Sequence, residues 1–136
     1  MNRDILFRAK LKDDYSNKGW QYGLVYCTWF SGSIFKYWLK PIKKKNLTTF
    51  DTVCVDPETI CEYTGLTDKN GVKIFEGDIV RYGDSIHKVV FEQRNGTAYF
   101  GLFWSPKETV PFGKYQDLRH IEVIGNIYDN PELLKA

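Results

Sequence analysis

Turn signals recur about every ten residues through the second half of this chain, and no other feature constrains its fold more tightly. Asp68-Lys69-Asn70-Gly71, Glu76-Gly77-Asp78, Gly83-Asp84-Ser85 and Asn95-Gly96 each place Asp, Asn or Gly where a chain must reverse. These side chains bond nearby backbone groups or tolerate positive φ. Asn-Gly is the dipeptide of a type I′ hairpin. Residues 79–82, 86–91, 97–104 and 119–124 lie between the signals and are rich in β-branched and aromatic types, so they read as short strands. Pro106 and Pro111 are expected to bound an irregular loop. Even spacing of short strands suits a small barrel and leaves no room for a long amphipathic helix.

The first half is also β in pattern. Ile5, Phe7, Ala9 and Leu11 alternate with Leu6, Arg8, Lys10 and Lys12, the period of a strand with one face in a core. Residues 20–30 and 34–39 flank Ser31-Gly32-Ser33 and read as a hairpin. Its second strand puts Lys36, Trp38 and Lys40 on one face and Phe35, Tyr37 and Leu39 on the other. Pro41 stops that strand, Lys43-Lys44-Lys45-Asn46 forms a loop, and residues 48–55 are β-prone again. Asp56-Pro57-Glu58 supplies a cap, a Pro and an acid, predicting a short helix to about Tyr63 and a boundary near residue 56. Asn130-Pro131-Glu132 repeats the pattern for a brief terminal helix. The expected organisation is an N-terminal β-rich portion over 1–56 and a barrel domain over 57–136.

With 136 residues, 43% of them hydrophobic, the chain can bury roughly 68% of its exposable surface and needs no staple or cofactor to fold. Its net charge of +2 conceals an asymmetry: residues 1–50 hold ten Lys/Arg against three Asp, a net +7, whereas residues 51–136 hold nine against fourteen acids, a net −5. A basic first half favours an anionic partner, and opposite halves on identical copies favour head-to-tail association. Cys27, Cys54 and Cys61 are odd in number and lack C-x-x-C, so they read as reduced thiols. His87 and His120 lie far apart with no Cys or His at ligand spacing, which argues against zinc, and no metal or cofactor is expected. The longest apolar stretch, residues 24–30, is far short of the ~20 residues that span a bilayer, and the N-terminus does not read as a signal peptide. A cytoplasmic protein without membrane contact is expected.

Two segments carry a family resemblance: Glu62-Tyr63-Thr64-Gly65-Leu66-Thr67-Asp68-Lys69-Asn70-Gly71-Val72-Lys73-Ile74-Phe75-Glu76-Gly77-Asp78-Ile79-Val80, and Glu122-Val123-Ile124-Gly125-Asn126-Ile127-Tyr128-Asp129-Asn130-Pro131-Glu132-Leu133-Leu134. With Arg8-Ala9-Lys10 and Trp20-Gln21-Tyr22-Gly23, the sequence resembles the YopX family of small proteins found mostly in bacteriophages and prophages. The resemblance implies a mainly β fold in which an SH3-like small β-barrel follows a smaller N-terminal portion. It implies no activity.

Gly65, Asp68, Gly71, Glu76, Gly77 and Asp78 bring three carboxylates close in sequence, a pattern that acid/base or divalent-metal chemistry also uses. Turn-making accounts for Gly and Asp at these spacings, with Glu76 the least explained by it. Gly-x-Ser-x-Gly and phosphate-loop patterns are absent, and no Cys has a neighbouring base. His87, beside Val89 and Phe91 in an alternating run, reads as a packing residue. The expectation is therefore a non-enzyme that binds a host or phage protein or associates with itself. The alternative is single-stranded nucleic acid bound by Lys36, Trp38, Lys40, Lys43, Lys44 and Lys45, where cations meet an aromatic. The acidic second half would restrict such a site to the first.

Overall fold

The computed structural model describes residues 4–12, 19–32, 34–41, 52–94, 96–112 and 118–135. The chain is mainly β, its strands antiparallel throughout, and it divides into two compact units, Met1–Glu62 and Tyr63–Ala136.

In the first unit β1 (Phe7–Lys10), β2 (Trp20–Ser31), β3 (Ile34–Pro41) and β4 (Val53–Cys54) lie side by side in the order β4-β3-β2-β1. The first residues of β5 (Cys61–Thr67) add to β1 through Phe7 opposite Glu62 and Arg8 opposite Cys61. Ala9, Leu39 and Val55 are fully buried on one face, with Val25, Tyr37, Val53 and Ile60 packed around them. That face is set by register: Val25 stands opposite Leu39, so the odd positions of both strands point inward.

The helix expected over 57–63 is a single 3-10 turn, Pro57–Thr59. Its cap forms as the sequence demands, Asp56 Oδ1 accepting from Glu58 N–H at 3.0 Å. Propagation stops because the next residues have stronger partners. Thr59 Oγ1 accepts from Lys10 N–H at 2.9 Å, and Cys61 and Glu62 join the β1 ladder. The division between units consequently falls inside β5, whereas the sequence places it near residue 56.

In the second unit β6 (Lys73–Phe75) pairs with residues 63–67 of β5. Then β7 (Asp78–Tyr82), β8 (Ser85–Arg94), β9 (Thr97–Ser105), β10 (Glu108–Pro111) and β11 (Ile121–Asn126) form a sheet ordered β10-β9-β8-β7-β11. The meander runs from β7 to β10, and the last strand returns beside the first. Its core is Ile74, Val80, Val89, Leu102 and Ile121, each almost or wholly without solvent exposure. Residues 106–111, expected as an irregular loop, contain the strand β10: Thr109 and Val110 are buried, and Pro111 sits at the strand's last position. The terminal helix is a 3-10 turn, Pro131–Leu134, without a side-chain cap. Asn130 Oδ1 instead accepts from Asn126 N–H at 3.3 Å.

Closure of the barrel is the part of the expectation that this sheet does not supply. Among the described residues β10 and β11 are its two edges, and no ladder joins them.

Candidate nucleic-acid interface

The outer face of the first unit follows from β-strand parity. Cross-strand register sets Arg8 opposite Tyr22 and Lys10 opposite Trp20. It also sets Leu24 opposite Lys40, Tyr26 opposite Trp38 and Thr28 opposite Lys36. Directly paired residues share a face, so four aromatic rings and four cations lie on the side away from Ala9 and Leu39. Tyr22, Leu24 and Tyr26 are 45%, 42% and 45% exposed, values that leave the middle of β2 open to a ligand. Lys36 and Lys40 are exposed and Trp38 is half-buried between them.

Local contacts fix these groups. Trp38 Nε1–H donates to Thr28 Oγ1 at 2.9 Å, which ties the indole to β2. The Arg8 guanidinium lies 4.5 Å from the centre of the Trp20 ring and the Lys10 ammonium 5.4 Å from it, both cation–π distances. Arg8, expected on a wet face, is in fact buried, with its charge set against a π surface. The strands β1, β2 and β3 contain no carboxylate, and none occurs in the sequence between Asp14 and Asp51. Nor do these strands hold a histidine. The face can attract anions and stack planar rings.

Of the six residues the sequence nominates, the structure brings together Lys36, Trp38 and Lys40. Lys43, Lys44 and Lys45 lie outside the described residues. Sequence reasoning missed Arg8, Lys10, Trp20, Tyr22 and Tyr26. The signal that finds them is the even-numbered parity of β2, which becomes legible once the β1 and β3 registers are known. At the hairpin end the inner face is also uncovered: Trp29 is 67% and its cross-strand partner Phe35 50% exposed.

Two of the three carboxylates of the turn cluster, Asp68 and Asp78, bind backbone. Asp68 Oδ1 accepts from Asn70 N–H at 2.8 Å and Val72 N–H at 2.9 Å, while its Oδ2 accepts from Val123 N–H at 2.9 Å. Asp78, only 1% exposed, accepts from Phe75 N–H at 2.8 Å. Glu76 is half-buried and interacts with its surroundings. Gly65, Gly71 and Gly77 have φ of 89°, 79° and 87°. Gly65 falls where the β5–β6 register shifts, a bulge that Thr64 closes by donating its hydroxyl to Ile74 O at 2.8 Å. No three of His, Cys, Asp and Glu gather among the described residues as a metal site. His87 is buried, its Nδ1 3.2 Å from Phe103 O and its ring 4.3 Å from that of Trp104. The three cysteines form no disulfide: Cys27 is exposed, Cys54 half-buried, and Cys61 buried with its thiol donating to Thr59 O at 3.3 Å. Among the described residues no helix is long and apolar enough to cross a membrane.

Comparison with known proteins places this geometry in context. A family model described as YopX protein matches residues 7–135. The fold is similar to that of protein EF1440 from Enterococcus faecalis, known from a crystal structure, with a TM-score of 0.56 and 24% identity over 97% of this chain and 99% of that one. No curated protein matches.

Proposed function

This chain belongs to the YopX family, and from that premise we propose that it is a non-enzymatic accessory protein of phage or prophage origin, working in the cytoplasm as a binding module. The ligand that its geometry supports best is single-stranded nucleic acid laid across β2 and β3. One observation carries this reading: Trp20, Tyr22, Tyr26 and Trp38 share a face with Arg8, Lys10, Lys36 and Lys40 on three strands that hold no carboxylate of their own. Aromatic platforms beside a cationic track bind single strands with little sequence preference, because every base has a π face and every nucleotide a phosphate. The same cations on an edge would only discourage strand addition; β2, which carries Tyr22 and Tyr26, is paired with β1 over residues 20–23 and with β3 over residues 23–31, and β3 is paired by β4 at Trp38 and Leu39. The second unit, read as an SH3-like module, is supported by a meander whose last strand lies beside its first. Anisotropy of a labelled single strand of ~15 nucleotides tests the reading. Affinity that falls steeply with salt supports it, and no shift at low salt removes it.

A second reading, association with another copy or with a host or phage protein, rests on Trp29 and Phe35, an apolar pair exposed at the hairpin end. Light scattering at tens of micromolar decides the first branch: a strict monomer eliminates self-association.

A further inference from the structure

On one of its two sides β2 outruns its neighbour. β1 pairs with it only over residues 20–23, whereas β3 follows it over residues 23–31. Beyond Gly23 no described strand lies along the β1 side, so residues 24–29 form a sheet edge on which every second residue turns its N–H and C=O outward. The register with β3 stays regular through this stretch and shifts only between Trp29 and Ser31. Leu24, Tyr26, Cys27, Thr28 and Trp29 are exposed along it, which leaves the edge open to solvent.

Folded proteins blunt such an edge with Lys, with Pro or with an inward-pointing charge. Leu24-Val25-Tyr26-Cys27-Thr28-Trp29 holds none of these and is β-branched or aromatic at four of six positions, so it favours strand addition. Being uncharged, it can meet an identical strand without setting like charges directly opposite. Lys36 and Lys40 lie one strand away, on β3. In a sheet ordered β3-β2-β2-β3 across two copies, the two β3 strands stand three spacings apart, about 14 Å. That exceeds the ~8 Å over which charges act at physiological salt. Tyr26, Trp29 and Phe35, at 45%, 67% and 50% exposure, leave about 300 Å² of ring surface open per copy, at ~200 Å² a ring. Two copies supply about 600 Å², short of the ~1,200 Å² of a long-lived complex, so the ladder bonds carry the rest and the dimer exchanges with monomer.

We propose that two copies of this chain pair β2 against β2, antiparallel, about a two-fold axis that stands normal to the sheet and passes through Cys27. The proposal rests on the self-association reading above and names its surface. Directly opposed residues share a face, so the axis must pass through a residue and not between two. Centred on Cys27, it sets Val25 opposite the partner's Trp29 and Tyr26 opposite the partner's Thr28. The free edge is then used to its end, because Gly23 of the partner subunit, where β1 takes over, falls opposite Ser31, the last residue of β2. Centred on Tyr26, the axis would drive Trp29 onto that Gly23, whose outer side β1 already fills. Both outer faces lie on the same side of the joined sheet.

Sedimentation of the full chain without nucleic acid, up to about 200 µM (about twenty times a 10 µM Kd), tests it. A mass that rises with concentration toward two chains is expected, and it should hold at about 0.5 M salt, since no ion pair crosses the axis. Cys27→Lys and Cys27→Glu, at an exposed position, each set like charges together on the axis. Each is expected to weaken the dimer at least tenfold with melting unchanged, and an equimolar mixture of the two to restore it. Diamide, which takes two electrons and two protons from a pair of thiols, is expected to link wild-type chains through Cys27 and to leave Cys27→Ser unlinked, because opposed residues lie within disulfide reach. A strict monomer overturns the pairing and self-association with it. A dimer that Cys27→Lys leaves intact, that salt dissolves, or that diamide does not link through Cys27 overturns the pairing alone and leaves self-association standing. None of these results bears on oligonucleotide binding, which is measured on Tyr26 and Trp38.

Discussion

The carboxylate of Asp68 accepts a hydrogen bond from the backbone N–H of Val123 at 2.9 Å, although 55 positions separate the two residues. The other carboxylate oxygen closes the turn on which Asp68 itself sits, through Asn70 and Val72. One side chain thus shapes a local reversal and ties it to β11. Lys69 follows directly and is positioned by the same clamp, its own N–H bonded to Ile121 O.

Asp68→Ala should therefore destabilise the second unit well beyond the cost of an ordinary turn residue. Three backbone N–H groups lose a charged acceptor at a position only 6% exposed. Bonds to charged groups contribute about 1.5–3 kcal/mol each, and partial rehydration recovers some of that, so a loss of about 3 kcal/mol is expected. Asp68→Asn keeps one acceptor oxygen and should lose about half as much. Urea unfolding measures both, and equal stability of Asp68→Ala and wild type would mean that the clamp contributes nothing.

The double use of Asp68 shows what the sequence could and could not disclose. The turn over 68–71 was legible, because Asp and Gly at that spacing have a local chemical reason to reverse the chain. The bond to Val123 was not, since nothing in the 54 intervening residues states that β11 will return beside β7. The same distinction runs through the molecule. Hairpins β2–β3, β7–β8 and β8–β9 rest on adjacent residues and were readable from Gly32, Gly83 and Gly96. The helix expected after Asp56 was overruled by distant partners, Lys10 for Thr59 and β1 for Cys61. On the outer face, Lys36, Trp38 and Lys40 were visible as an alternation within one strand. Arg8 and Tyr22 joined them only through a register that no single strand encodes.

Gly77 and Gly71 separate two costs of a positive φ. Both backbones lie in the left-handed region, at 87° and 79°. Gly71 is exposed with nothing within 4 Å of an added Cβ, so Gly71→Ala should cost only the backbone term, about 1–2 kcal/mol, and Gly71→Asn less. Gly77 is buried and bonded on both sides, its N–H to Val89 O and its carbonyl from Ile127 N–H, each 2.9 Å. A strained Gly77→Val distorts both bonds, and about 3 kcal/mol is expected. Thermal melting ranks the variants, and a Gly71→Ala protein melting below Gly77→Val would reverse the assignment of the two turns.

Charge removal from the outer face should show in the salt dependence of oligonucleotide binding. Each phosphate neutralised on a single strand contributes a slope of about −0.7 in log K against log salt. Lys36→Gln with Lys40→Gln should reduce that slope by about 1.4 while leaving melting unchanged, since both side chains are exposed. Anisotropy titrations at several salt concentrations measure it. An unaltered slope would place the phosphates elsewhere.

The aromatic half of the face is tested at Trp38 and Tyr26, which stand directly opposite each other. Stacking of a base on an aromatic side chain contributes about 1–3 kcal/mol, so Trp38→Ala should weaken a single strand by roughly 5–150-fold, and Tyr26→Ala by a similar factor. Trp38→Phe retains a ring but forfeits the N–H bond to Thr28, and it should bind within a few-fold of wild type. Because paired residues couple, the double alanine variant should lose less than the product of the single losses if one base bridges both rings, and the full product if each ring carries its own base. Affinity unaffected by either alanine would leave electrostatics as the sole contribution of this face, and the stacking role would be withdrawn.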